Sequence, residues 1–83
     1  MDAMEAVKAA AKNAGVPLRH IGRKMGVPET FVNKTIYRKS VPRANTLAKM
    51  LDACGYSLCA VPNGSVSDDM LVITAEDDAG EDL

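Results

Sequence analysis

The side chains that could support bond-making chemistry are few and scattered. His20 is the only histidine, and Cys54 and Cys59 are the only cysteines. A zinc site draws several His, Cys or carboxylate ligands at fixed spacings, and His20 has no second histidine and no cysteine nearby in helical register. The two thiols stand five positions apart, which fits neither a redox C-x-x-C pair nor a disulfide-rich scaffold, so both are expected reduced, Cys54 buried on a helix and Cys59 in a strand. The serines at 40, 57, 65 and 67 lack a histidine in any arrangement that would make them nucleophiles, and no G-x-x-x-x-G-K-[ST] loop is present. The expectation is therefore of a protein that is not an enzyme and uses no metal or cofactor.

A different chemistry is available to Glu29, Thr30, Asn33 and Lys34. With Tyr37 they lie along the outer side of a helix predicted over Pro28–Tyr37 and offer hydrogen-bond donors and acceptors there, while Val32 and Ile36 stand four residues apart on its inner side. Three further helices are needed to hold that one in place. Residues 2–14 carry Met4, Val7, Ala11 and Ala14 at helical spacing, with Gly15 as a stop. Pro17 suits a first helical position, Leu18, Ile21 and Met25 form one apolar face, and Gly26 ends this short second helix. After a loop from Arg38 to Pro42, a fourth helix opens at Ala44 or Asn45, turns Leu47, Met50, Leu51 and Cys54 inward, and closes at Gly55. Met4, Met25, Met50 and Met70 all fall at apolar positions and read as core filler.

Beyond Gly55 the pattern changes. Tyr56–Val61 and Met70–Ala75 are β-rich runs separated by Pro62-Asn63-Gly64-Ser65 and other polar residues, which predicts a β-hairpin over residues 57–75. Residues 76–83 are acidic and too poor in apolar groups to order themselves, so a disordered acidic tail is expected. Eighty-three residues suit one domain with a modest core. With three aromatic residues, Phe31, Tyr37 and Tyr56, that core must be aliphatic, as in packed helices.

The net charge of −1 conceals a division at Tyr56. Residues 1–56 hold all ten Lys and Arg against four acidic residues, a net of +6, while residues 57–83 hold seven Asp and Glu and no base. A basic body with an acidic end fits either a nucleic-acid partner for the body or simply a solvated charged surface, and charge alone does not decide between them. No run approaches the roughly 20 apolar residues of a membrane span, no secretory leader is visible, and the chain is expected in the cytoplasm.

The run from Val16 to Lys34, VPLRHIGRKMGVPETFVNK, resembles the helix-turn-helix of the λ-repressor and Cro (XRE-type) family of bacterial and phage regulators, and Pro42–Gly55 is similar to that family's next helix. The resemblance covers about residues 4–56. It implies a mainly α, four-helix λ-repressor-like domain over 1–56, with Ile21 in the core of the bracing helix, Gly22 where two helices touch, Gly26 in the turn and Val32 anchoring the reading helix. Three positions depart from the pattern. Pro28 replaces the usual Ser or Thr cap, Ile36 stands where an acidic residue is common, and Arg38 where a glycine is common.

The resemblance also implies that Glu29, Thr30, Asn33 and Lys34 lie where base edges of double-stranded DNA are read. Their chemistry allows it: Lys can donate to guanine, Asn can pair with adenine, Glu can accept from cytosine, and Thr can serve either role or touch a thymine methyl. Arg19, Arg38, Lys39, Ser40 and Arg43 are expected at phosphates, whereas Arg23 and Lys24 are expected to serve chiefly as soluble surface. Because a two-stranded hairpin is marginal alone, Leu71, Val72 and Ile73 are expected either to join two copies into a homodimer or to pack on their own domain. The composite expectation is a repressor that holds a palindromic operator as a homodimer. The alternative is an antitoxin-like or anti-repressor module that binds a second protein through the C-terminal strand and acidic tail.

Overall fold

The computed structural model of the chain describes residues 1–74. It is mainly helical: α1 spans Ala3–Ala14, α2 Leu18–Met25, α3 Phe31–Tyr37 and α4 Ala44–Asp52, followed by a single 3₁₀ turn at Asn63–Ser65. α2 packs on α3 and on α4, and α1 packs on α4. The largest wholly buried side chains are Val7, Ile21, Val32 and Met50, one from each helix, and all belong to a single apolar cluster. Each was placed inward by the helical spacing of its segment. Ala14, expected on the same face of α1, is exposed, and Ala6 and Ala10 are buried instead, because the inward stripe drifts around the helix over its length.

The first helix is fixed by a reciprocal cap. The Asp2 carboxylate accepts from the backbone N–H of Glu5 at 2.8 Å, and the Glu5 carboxylate accepts from the N–H of Asp2 at 2.8 Å. Together they satisfy two of the donors that any helix start leaves unpaired. Pro17 precedes α2 with extended backbone (φ −62°, ψ 145°), so it stands one residue outside the helix it was expected to begin. Arg43 plays the same part before α4.

All four helices are closed by one motif, in which a residue one to three positions past the helix turns left-handed and its N–H and the next fold back on carbonyls behind it. After α1 the N–H of Gly15 meets the Lys12 carbonyl and that of Val16 the Ala11 carbonyl; after α2 the pairs are Gly26 with Arg23 and Val27 with Gly22. After α4 they are Gly55 with Asp52 and Tyr56 with Leu51. Glycine fits there because it has no Cβ to strike the preceding carbonyl. α3 builds the same closure without glycine: Lys39 takes φ 56°, its N–H meets the Ile36 carbonyl, and the N–H of Ser40 meets the Thr35 carbonyl. The glycine missing at Arg38 is thus answered one residue later by a strained lysine.

Two expectations require correction. α3 starts at Phe31, not Pro28, because the Pro28 carbonyl bonds the Phe31 N–H at 2.9 Å in a tight turn ahead of the helix. Among the described residues no β-strand forms, so the hairpin of 57–75 is not found over 57–74. Pro62 contributes a carbonyl to the turn at Ser65 but has no N–H for a ladder, and the later run pairs elsewhere. The Met1 amino group donates to the Val72 carbonyl at 3.3 Å, and the Thr74 N–H donates to the Met1 carbonyl at 3.1 Å. Between the two runs lies an open cavity of about 560 Å³, bordered by Leu47 and Leu51 of α4. Cys59 accordingly sits exposed on extended chain and not in a strand, while Cys54 is buried just past α4. The acidic stretch 76–83 lies outside the described residues.

Candidate nucleic-acid interface

α3 is positioned chiefly by α2. A Cβ added at Gly22 would stand 2.6 Å from the Pro28 carbonyl oxygen and 3.2 Å from the Glu29 Cα, so the turn before α3 lies directly against the backbone of α2. Only a residue without a side chain permits that approach. Val32 then seats α3 in the core, Phe31 and Ile36 pack at its margin, and the Thr35 hydroxyl donates back to the Phe31 carbonyl at 2.8 Å. What remains outward is Thr30, Asn33, Lys34 and Tyr37, all exposed and spaced three or four residues apart along one face.

The cations divide into two sets. Arg23 is spent within the fold: its Nε donates to the Glu29 carboxylate at 2.7 Å, tying α2 to the turn before α3. Lys24 is spent likewise, its Nζ donating to the Ala53 carbonyl at 3.1 Å at the C-terminal end of α4, where a positive charge complements the helix dipole. Arg19, Lys34, Arg38, Lys39 and Arg43 are all exposed, and among the described residues none of their side chains makes an ion pair or hydrogen bond. From Thr30 to Leu51 the chain holds five Lys and Arg and no Asp or Glu. That segment, which contains α3 and its outward residues, carries a net positive charge.

Of the eight polar side chains expected at base edges or phosphates other than Glu29, all are exposed, so Arg19, Thr30, Asn33, Lys34, Arg38, Lys39, Ser40 and Arg43 are free to meet a partner. Glu29 differs. The Arg23 hydrogen bond, and then the Arg23 charge, hold its carboxyl below the usual carboxylate range, with Arg19 and His20 adding to the effect. Its charge is already matched inside the protein, which removes the obstacle of a bare carboxylate near phosphate but also occupies one of its oxygens. Leu71 packs on the helical core, whereas Val72 and Ile73 stay about 40% exposed, as do Leu58, Val61, Val66 and Met70.

Tyr37, placed on the outer side of the helix by the same period that turns Val32 and Ile36 inward, is 88% exposed. Val41, 76% exposed in the same positive segment, was not singled out from the sequence. Nothing in the spacing marks Val41, which sits in a loop.

Among the described residues no helix is long and apolar enough to cross a membrane, and no cluster of His, Cys, Asp and Glu could hold a metal ion. No family model, curated protein or solved structure matches the chain.

Proposed function

We propose that this protein is a sequence-specific regulator that binds double-stranded DNA through a λ-repressor-like helix-turn-helix made of α2, the Gly26 turn and α3. The observation that carries the reading is the outward stripe of Thr30, Asn33 and Lys34 set in a segment with five Lys and Arg and no acid. Asn33 and Lys34 pair with adenine and guanine edges in the major groove, and Thr30 meets either a base edge or a methyl. Arg19, Arg38, Lys39, Ser40 and Arg43 fix register on the phosphates and supply most of the salt-dependent affinity. The ion pair between Arg23 and Glu29 leaves Glu29 as the weakest base reader of the four.

The protein acts as a homodimer in the cytoplasm of a bacterial or phage-infected cell. Val72 and Ile73, with the exposed Leu58, Val61, Val66 and Met70, form the surface at which a second copy is expected. A twofold pair would set its reading helices roughly 34 Å apart, one turn of DNA, on a palindromic operator, and occupancy of that operator represses transcription. Selection of bound duplexes from a random pool tests the reading. A palindromic consensus is expected, and recovery without sequence preference would overturn specific readout.

The same apolar surface favours a second reading, an antitoxin-like or anti-repressor module that binds another protein. Ile73→Asp would then abolish the complex and Lys34→Ala would leave it intact, whereas for the DNA regulator Lys34→Ala weakens operator binding even in a fully assembled dimer.

A further inference from the structure

Tyr37 ends the outward stripe of α3, three residues after Lys34 and four after Asn33, and it is the most exposed large apolar side chain in the described chain. Tyrosine, with an apolar ring and a polar end, is enriched at contact surfaces. Its surroundings narrow the partner. Lys34, Arg38, Lys39 and Arg43 lie within six residues of it, exposed and unmatched by any acid in the segment. A second copy docking by this same face would bring like charge against like charge, and a polyanion is the partner that complements the whole segment. Along the stripe Thr30, Asn33 and Lys34 present polar ends, and Tyr37 presents a ring with Val41 following in the loop. In the major groove of DNA the apolar group offered by a base edge is the C5-methyl of thymine.

We propose that Tyr37 is a specificity-determining residue that packs its ring on a thymine C5-methyl at the end of the operator half-site where α3 leaves the groove. The proposal rests on the DNA-binding reading and adds to it a contact that is apolar and independent of salt. It differs in kind from the lysine and arginine contacts around it, which act on any phosphate. The phenol hydroxyl is not required for it.

The test uses the full chain and the duplex recovered from the random pool, alongside the same duplex with deoxyuridine in place of every thymidine, which removes the methyls and leaves all hydrogen-bonding groups. Wild type is expected to bind the deoxyuridine duplex about four-fold more weakly for each methyl it covers. Tyr37→Ala is expected to bind the thymidine duplex about ten-fold more weakly than wild type, to lose part of the thymidine preference, and to keep the wild-type slope of affinity against salt. Tyr37→Phe is expected to retain both affinity and preference. Because the side chain lies outside the core, all three proteins fold, and matching circular dichroism spectra check this. A Tyr37→Ala protein with the full thymidine preference would assign the methyl to another residue and overturn the proposal, as would a Tyr37→Phe protein that behaves like Tyr37→Ala. Failure of wild type to bind any duplex would bring down the DNA-binding reading itself and this inference with it.

Discussion

The α-carbon of Gly22 faces the carbonyl oxygen of Pro28 so closely that a single methyl group would come within 2.6 Å of it. The opposing atom is backbone and not the end of a flexible side chain, so it cannot swing aside. Gly22→Ala must push the turn before α3 away from α2. The expected cost is about 1–3 kcal/mol, as for other insertions into a close-packed site. At this chain length each kcal/mol lowers Tm by about 4–8 °C, and a thermal melt followed by circular dichroism would read it. An unchanged Tm would mean that the clash costs no more than the ~0.5–1 kcal/mol that alanine gains over glycine inside a helix.

Lys39 offers a gain of the opposite sign. Its left-handed backbone costs a non-glycine residue about 1–2 kcal/mol. Lys39→Gly should therefore stabilise the fold by up to about 1 kcal/mol in urea unfolding, after the extra freedom of glycine in the unfolded chain is set against it. Lys39→Ala keeps the strain and should leave stability nearly unchanged. Both should lower the slope of log affinity against log salt by about 1, which separates the backbone role from the charge role.

Glu29→Gln removes the charge that Arg23 now satisfies. Stability should change little, since both side chains are about half exposed and such pairs contribute little in water. DNA affinity at low salt should rise, because Arg23 is released and a negative charge is lost. A fall in affinity confined to sites with one particular cytosine would instead establish Glu29 as a base reader. The pH dependence has a definite sign. A carboxyl held below its ordinary value adds stability that is present above its unfolded value and fades as pH falls through the lower folded one, so any contribution of Glu29 disappears on the acid side of the usual carboxylate range. A carboxyl NMR titration should find Glu29 below the ordinary value, and in Arg23→Gln it should return towards it.

Asn33→Ala is expected to relax preference at one base pair of the recovered consensus, by about 1–3 kcal/mol at that position, and to leave the salt slope as it is. Equal loss across all sequences would move Asn33 from the base edges to the backbone.

The two thiols should react at very different rates. Burial pushes the Cys54 thiol up, with Lys24 opposing the shift, while Cys59 is exposed. Iodoacetamide at mildly alkaline pH should label Cys59 quickly and Cys54 only as the protein unfolds, as mass spectrometry of the digested protein would show. The raised value of Cys54 favours the folded state fully below the ordinary thiol range, and that contribution is lost as pH rises through the folded value.

The helices were legible because apolar spacing and glycine stops are local signals. Val7, Ile21, Val32 and Met50 lie where a 3.6-residue period puts them. Asp2 and Glu5 also carry a readable signal, an acid-x-x-Glu pair ahead of an apolar run, which the structure shows as a capping box. The errors arose where the deciding partner is remote. Pro28 is acceptable at a first helical position, and only the contact with Gly22 and the bond to Phe31 explain why the helix waits until residue 31. Leu71 to Thr74 has strand composition, but composition does not name a pairing partner, and the described partner is Met1, not Tyr56–Val61. Arg23 and Glu29 are six residues apart across a turn, a spacing that no regular helix brings together, so their ion pair could not be read from the chain. The exposure of Thr30, Asn33 and Lys34 was readable, since it is the complement of the buried face.

The single cluster to which all four helices contribute has a consequence for cooperativity. α3 has seven residues, far below the length at which an isolated helix persists in water, so it exists only while Val32 is held among Val7, Ile21 and Met50. No helix can withdraw its buried residue without opening a void beside the other three. Melting should therefore be all-or-none, and amide protons of α1, α2, α3 and α4 should share one slowest exchange rate. On the proposed DNA-binding reading, a core substitution that leaves α3 in its place would lower DNA occupancy only through the fraction of chains folded, leaving the preference among sequences untouched.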